Sequence, residues 1–150
     1  MPVAEIYRQQ AALLVKTMPL VATESSFALK GGTAINLFVR NMPRISVDID
    51  LTYLPIAGRS ASLKAIDAGM RRIAQAIKSG IPGARASSSM LKDENCINKL
   101  IVRAAGVQIK IEVTPVLRGC VYEPAVKPDS PHVEDQFGFA EMRIVSFADL

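Results

Sequence analysis

The stretch KGGTAINLFVRNMPRISVDIDL, Lys30 to Leu51, sets a Gly-Gly-Thr turn ahead of an Asp-x-Asp pair. Within RISVDIDLTYL, Val47, Ile49, Leu51 and Tyr53 alternate with Ser46, Asp48, Asp50 and Thr52. That period of two is the pattern of a half-buried strand, with both aspartates on its polar face. Upstream, SFALK reads as a short strand entering the Gly31-Gly32 turn, and TAINLFVRN as a helix leaving it. Glycine lets a backbone approach a phosphate closely, and a helix N-terminus offers free N–H donors and a positive dipole end. The Thr33 hydroxyl adds a further donor.

Working outward, VQIKIEVTPVL alternates Val107, Ile109, Ile111 and Val113 against Gln108, Lys110, Glu112 and Thr114. Its polar face supplies a third carboxylate, Glu112. Two same-face aspartates have Cα atoms about 6.5–7 Å apart and can converge on one magnesium ion or bridge two. Three carboxylates together repel by about 4 kcal/mol per pair at 4 Å and an effective dielectric near 20. Such a cluster calls for a cation. The plainer alternative is a solvated sheet face on which Asp48 and Asp50 pair with Lys110 and Arg44.

Around this centre the chain reads as an α/β domain. An opening helix, AEIYRQQAALLVK, follows Pro2 and ends around Pro19. A second amphipathic helix, SASLKAIDAGMRRIAQAIKSG, carries Leu63, Ile66, Met70, Ile73 and Ile77 on one face and is stopped by Gly80 and Pro82. The segments ARASSSML and CINKLIVRA read as strands, VYEPAVKPDSPHVEDQFG as a proline-rich loop, and MRIVS as a last strand. The expectation is a mixed sheet with helices on one face and a polar, acidic face left open. Arg71, Arg72 and Lys78 offer a basic surface for RNA, although the same spacing fits a solvated helix face better.

The bulk properties are consistent with this. At 150 residues the chain fits one domain with a sizeable core. No apolar run approaches the roughly 18–20 residues that span a bilayer, and MPVAEIYRQQ lacks the features of a secretion signal. A cytoplasmic protein with no membrane partner is expected. Cys96 and Cys120 match no metal or redox spacing and read as buried thiols. His132 lies in a loop-like stretch and is a poor ligand candidate. The net charge of +4 favours an anionic partner.

A Gly-Gly turn alone is weak, being neither a Walker A sequence nor a dinucleotide fingerprint. The ordered set is more specific. Strand, Gly-Gly-Thr turn, helix, Asp-x-Asp strand and later acidic strand is the layout of polymerase-β-like nucleotidyltransferases. KGGTAINLF, PRISVDIDLTYLP, VQIKIEVTPVLRG and FGFAEMRIVSFADL together resemble the nucleotidyltransferase-toxin family that includes AbiEii and AbiGii, across residues 27–150. The resemblance implies a toxin of a type IV toxin–antitoxin or abortive-infection system. It implies transfer of a nucleoside monophosphate from an NTP to an acceptor hydroxyl, with tRNA as the acceptor and magnesium, or manganese, as the cofactor. Gly31, Gly32, Thr33, Arg44 and Ser46 would then face the nucleotide. Asp48, Asp50 and Glu112 would bind metal, Glu112 alternatively acting as the base. Lys30 and Lys110 are charge-neutralising neighbours or surface residues.

The family pattern continues into a helical half with a phosphate-holding lysine and a later aspartate, and neither position lies within these 150 residues. Ser146 to Asp149 reads as a helix start interrupted at Leu150, so a truncated N-terminal domain is expected, with doubtful activity on its own. Two other readings remain open at this point: an inactive module that binds a partner such as the antitoxin, and a small-molecule, aminoglycoside-type nucleotidyltransferase.

Overall fold

The computed structural model describes residues 3–30, 48–55, 58–91, 95–118, 125–128 and 141–144. The clean alternation of residues 107–114 forms β5 (Val107–Arg118), with Val107, Ile109, Ile111 and Val113 buried. It is reached from β4 (Ile97–Ala104) through a two-residue turn at Ala105 and Gly106, whose φ angles are +52° and +80°. Two consecutive positive φ values are the signature of the hairpin turn whose twist matches that of the strands. Glycine meets that demand freely; alanine does so with strain.

The remaining strands are β1 (Phe27–Lys30), β2 (Asp48–Tyr53), β3 (Arg85–Met90), β6 (Ala125–Pro128) and β7 (Glu141–Ile144). They lie in one sheet in the order β3-β4-β5-β2-β1-β7-β6. β2 runs parallel to β5 and β1 parallel to β7, while the other neighbours are antiparallel. The proline-rich stretch expected as loop therefore contains a strand. β6 is tolerated there because it is the last strand of the sheet, where a ladder N–H can be dispensed with and Pro128 fits at the strand end.

Two helices, α1 (Val3–Val21) and α2 (Arg59–Gly80), pack on one face of this sheet. α1 passes through Pro19 and runs two residues beyond the expected stop. Proline removes only its own N–H, and the next turn still closes through the Ala22 N–H to the Met18 carbonyl at 2.9 Å. α2 buries Ile66, Met70, Ile73 and Ile77 as their spacing predicts, and Ser62 and Gly69 besides. Gly80 is helical rather than a left-handed cap. Ile81 closes the helix in extended geometry, and the positive φ of +75° falls on Gly83.

The helix-side core joins Leu14 and Met18 of α1, the α2 stripe, and Phe27, Leu29, Ile49, Leu51, Leu100 and Val102 of the strands. Arg72 of α2 donates three hydrogen bonds to the Glu24 carboxylate, the shortest 2.7 Å. Asp67 accepts from Arg71 at 2.8 Å and from the Ile97 N–H at 2.9 Å, tying α2 to the first residue of β4. The opposite sheet face is not uniformly open. Ala28 and Thr52, cross-strand partners on that side, are both buried, so the solvent-open part lies toward β3, β4 and β5.

Candidate active site

The half-buried alternation of DIDLTY sends Ile49 and Leu51 into the core and leaves Asp48 and Asp50 on the other face. β2 pairs with β5 in a register that places Asp48 opposite Lys110 and Asp50 opposite Glu112. Facing residues on paired strands project from the same side. The three acidic residues singled out from the sequence are thus brought together on adjacent strands of the open face.

Lysines frame them. Lys30, the last residue of β1, is the partner of Asp50 from the other flank. Lys99 on β4 is the partner of Glu112, with Nζ 3.4 Å from Oε2. Lys110 reaches Asp48 at 3.9 Å. The row Lys30, Asp50, Glu112, Lys99 therefore crosses four strands with two like charges at its centre. The Asp50 carboxyl is pushed above the ordinary carboxylate range. Its partial burial is the largest cause, followed by repulsion from Asp48 and Glu112, with Lys110 and Lys30 pulling the other way.

The pairing of Asp48 with Lys110 belongs equally to a solvated sheet face. The raised Asp50 carboxyl beside Glu112 is the departure from that plainer arrangement, burial being its largest cause. Among the described residues, no three acidic, histidine or cysteine side chains converge closely enough to grip one ion. Lys99 and Lys110 engage two of the three carboxylates instead. The donor set nonetheless suits a hard divalent cation, being all oxygen. Glu112 and Asp48 remain 30% and 46% exposed.

Gly31, Gly32, Thr33, Arg44 and Ser46 lie outside the described residues, as do Cys120, His132 and the Ser146–Asp149 helix start. β1 does end at Lys30, so the chain leaves that strand beside Asp50. Cys96 is buried as expected, with its thiol 3.8 Å from the Ile97 carbonyl oxygen. Lys99 went unrecognised at the level of sequence. Its signal is the alternation of Lys99, Ile101 and Arg103 with Leu100 and Val102, which the tight turn at Ala105-Gly106 then registers against β5. Arg71 and Arg72 belong to α2, on the helix-covered side of the sheet, and are bound to Asp67 and Glu24.

A mixed sheet thus carries Asp48, Asp50 and Glu112 on neighbouring strands and is backed by helices on its other face. The family model for the AbiEii nucleotidyl transferase toxin of type IV toxin–antitoxin systems matches residues 12–150, and the chain belongs to that family. Among solved structures, MenT4, a nucleotidyltransferase toxin from Mycobacterium tuberculosis H37Rv, shares the fold. Its TM-score is 0.61 at 14% identity, covering 95% of this chain and 50% of that one. The chain thus spans about half the length of that structure. No curated protein matches the sequence. Among the described residues, no helix is long and apolar enough to cross a membrane.

Proposed function

We propose that this domain carries the metal-binding carboxylates of a nucleotidyltransferase site, which transfers a nucleoside monophosphate from an NTP to a hydroxyl of an RNA acceptor, tRNA by family resemblance. The observation that carries this reading is the register of β2 on β5, which sets Asp50 against Glu112 beside Asp48. Family membership adds a cognate antitoxin protein as a partner.

In the reaction, the acceptor oxygen forms a bond to the α-phosphorus while the bond to the bridging oxygen breaks. Pyrophosphate leaves with the electron pair. Asp48, Asp50 and Glu112 would hold magnesium, which when bound screens phosphate charge and acidifies the acceptor hydroxyl. Glu112, part-buried alongside Asp50, would alternatively act as the base that takes the acceptor proton. Lys30 and Lys110 supply positive charge at the two flanks of the aspartates, where a polyphosphate needs neutralising. The chain's contribution is positioning and charge rather than a covalent intermediate.

Isothermal titration with magnesium and each NTP tests the site. Binding by the wild type that disappears in the Asp48→Ala/Asp50→Ala variant is the expected result; equal binding by both sinks the reading. Incubation with labelled NTPs and total tRNA then tests the acceptor. Label confined to small molecules would show an aminoglycoside-type acceptor, and NTP binding without any transfer would leave a nucleotide-binding module.

A further inference from the structure

The open face carries a second like-charge pair. Arg85 on β3 and Arg103 on β4 are direct cross-strand partners, and both are exposed. Facing like charges destabilise a sheet, and among the described residues neither arginine has a carboxylate partner. Arg103 is instead steadied by neutral groups, donating to Gln108 Oε1 at 3.2 Å and to Ser87 Oγ at 3.5 Å. Those bonds fix the guanidinium without neutralising it.

The registers place this pair on the same side of the sheet as the carboxylates. Arg103 faces Gln108, two residues before Lys110 and four before Glu112 on β5. With a rise of about 3.3 Å per residue and strands about 4.8 Å apart, the arginines stand roughly 15–20 Å from Asp50. Lys99 and Lys110 lie between, flanked on β3 by the hydroxyls of Ser87 and Ser89, the partners of Ile101 and Lys99. Among the described residues on this side of β3, β4 and β5, Glu112 is the only acid. The carboxylates gather at one end of this face with Lys99 and Lys110 beside them, and Arg85 and Arg103 stand at the other end, with Ile101 and neutral polar groups between.

We propose that the open face of β3, β4 and β5 is the track for the sugar-phosphate backbone of the RNA acceptor, with Arg85 and Arg103 gripping phosphates a few nucleotides from the hydroxyl that reacts. Arginine forks suit phosphate oxygens, and serine hydroxyls suit phosphates and the 2′-OH that marks RNA. Same-face residues on a strand repeat every 6.6–6.8 Å or so, a step comparable to that between successive phosphates. The inference rests on the nucleotidyl-transfer reading, and it moves the RNA surface from α2 to the opposite side of the sheet. Arg71 and Arg72 are engaged with Asp67 and Glu24 on the helix side, where RNA would have no route to Asp50.

The test measures binding of labelled tRNA to the full chain across a salt series, for the wild type and for Arg85→Gln/Arg103→Gln. A helix-side control, Arg71→Gln/Lys78→Gln, and a track variant, Ser87→Asp/Ser89→Asp, are measured alongside, each with a thermal melt. The track predicts about a tenfold loss of affinity for Arg85→Gln/Arg103→Gln near 0.1 M salt. The slope of log K against log salt should fall by about 1.4–1.8. The serine variant should also weaken binding, and the helix-side control should match the wild type. Unchanged RNA binding in both track variants, loss confined to the helix-side control, or no RNA binding by the wild type overturns the inference. NTP binding, titrated separately on the same proteins, distinguishes these outcomes from failure of the nucleotidyl-transfer reading. Absence of NTP binding in the wild type sinks that reading, whereas intact NTP binding with unaltered RNA binding sinks the track alone.

Discussion

Asp50 on β2 and Glu112 on β5 are Cα partners in parallel register, two carboxylates side by side on the open face of the sheet. Asp50 is also partly buried and its carboxyl is held above the ordinary range, by that burial first and by Asp48 and Glu112 next. A carboxyl that ionises less readily in the folded chain binds more protons there than in the unfolded one. Stability therefore falls as pH rises from about 3.9, the unfolded value, through the folded value. Asp50→Asn is expected to raise the melting temperature at pH 7 by about 1–3 °C, the effect being limited by water on the exposed side. On the proposed reading, nucleotide transfer should fall about 10²–10³-fold. Melts at pH 4 and pH 7 check the sign: the gain should shrink toward the acid end.

Asp67 works in the opposite sense. Burial opposes its ionisation, but the bonds from Arg71 and the Ile97 N–H outweigh that and hold its carboxyl below the ordinary range. Its contribution is present above the unfolded value near pH 3.9 and is lost as pH falls through the lower folded value. Asp67→Asn should cost on the order of 1 kcal/mol at neutral pH. An acid-unfolding titration should show the difference from wild type closing below about pH 4.

Gly69 of α2 faces the edge of the Phe27 ring. A Cβ built there would lie 2.9 Å from Phe27 Cε2 and 3.0 Å from Cζ. Replacing glycine by alanine in a helix normally gains about 1 kcal/mol. Here overpacking against a fully buried ring, itself edge-on to Tyr53, costs about 1–3 kcal/mol. Gly69→Ala should lower the melting temperature by a few degrees. In a Phe27→Leu background, which removes the ring edge, the same substitution should become neutral or stabilising.

The left-handed alanine of the β4–β5 turn predicts the reverse. Ala105→Asn places Asn-Gly, the preferred pair for this turn, at the positions with φ of +52° and +80°. A gain of about 0.5–1 kcal/mol is expected from relief of strain. Thermal melts of the two proteins measure it. An unchanged melting temperature would show that Ala105 pays little for its conformation.

The Asp-x-Asp strand, the acidic strand around Glu112 and the two helices were all legible along the chain. Each rests on local periodicity, which a single segment displays. The strand at residues 125–128 was not, because prolines mask a strand that survives only at the sheet's edge. Nor was the short extension of α1 past Pro19, since one missing N–H is a weak stop when the following turn can still close.

What the chain determined by itself was therefore chemistry by residue type and the face on which each side chain sits: carboxylates and lysines out, aliphatics in. Which residues meet was decided only by strand order and register. Parallel pairing of β2 with β5 brought Asp50 to Glu112. The tight turn at Ala105-Gly106 brought Lys99 to the same row, and the pairing of β3 with β4 set Arg85 against Arg103. Those pairings join residues 13 to 62 positions apart, and they are fixed by burying one continuous core beneath the helices. A shift of one residue in any of them would turn the charges inward. Helix packing, rather than any motif, is what aligned the acidic end and the basic end on one open face.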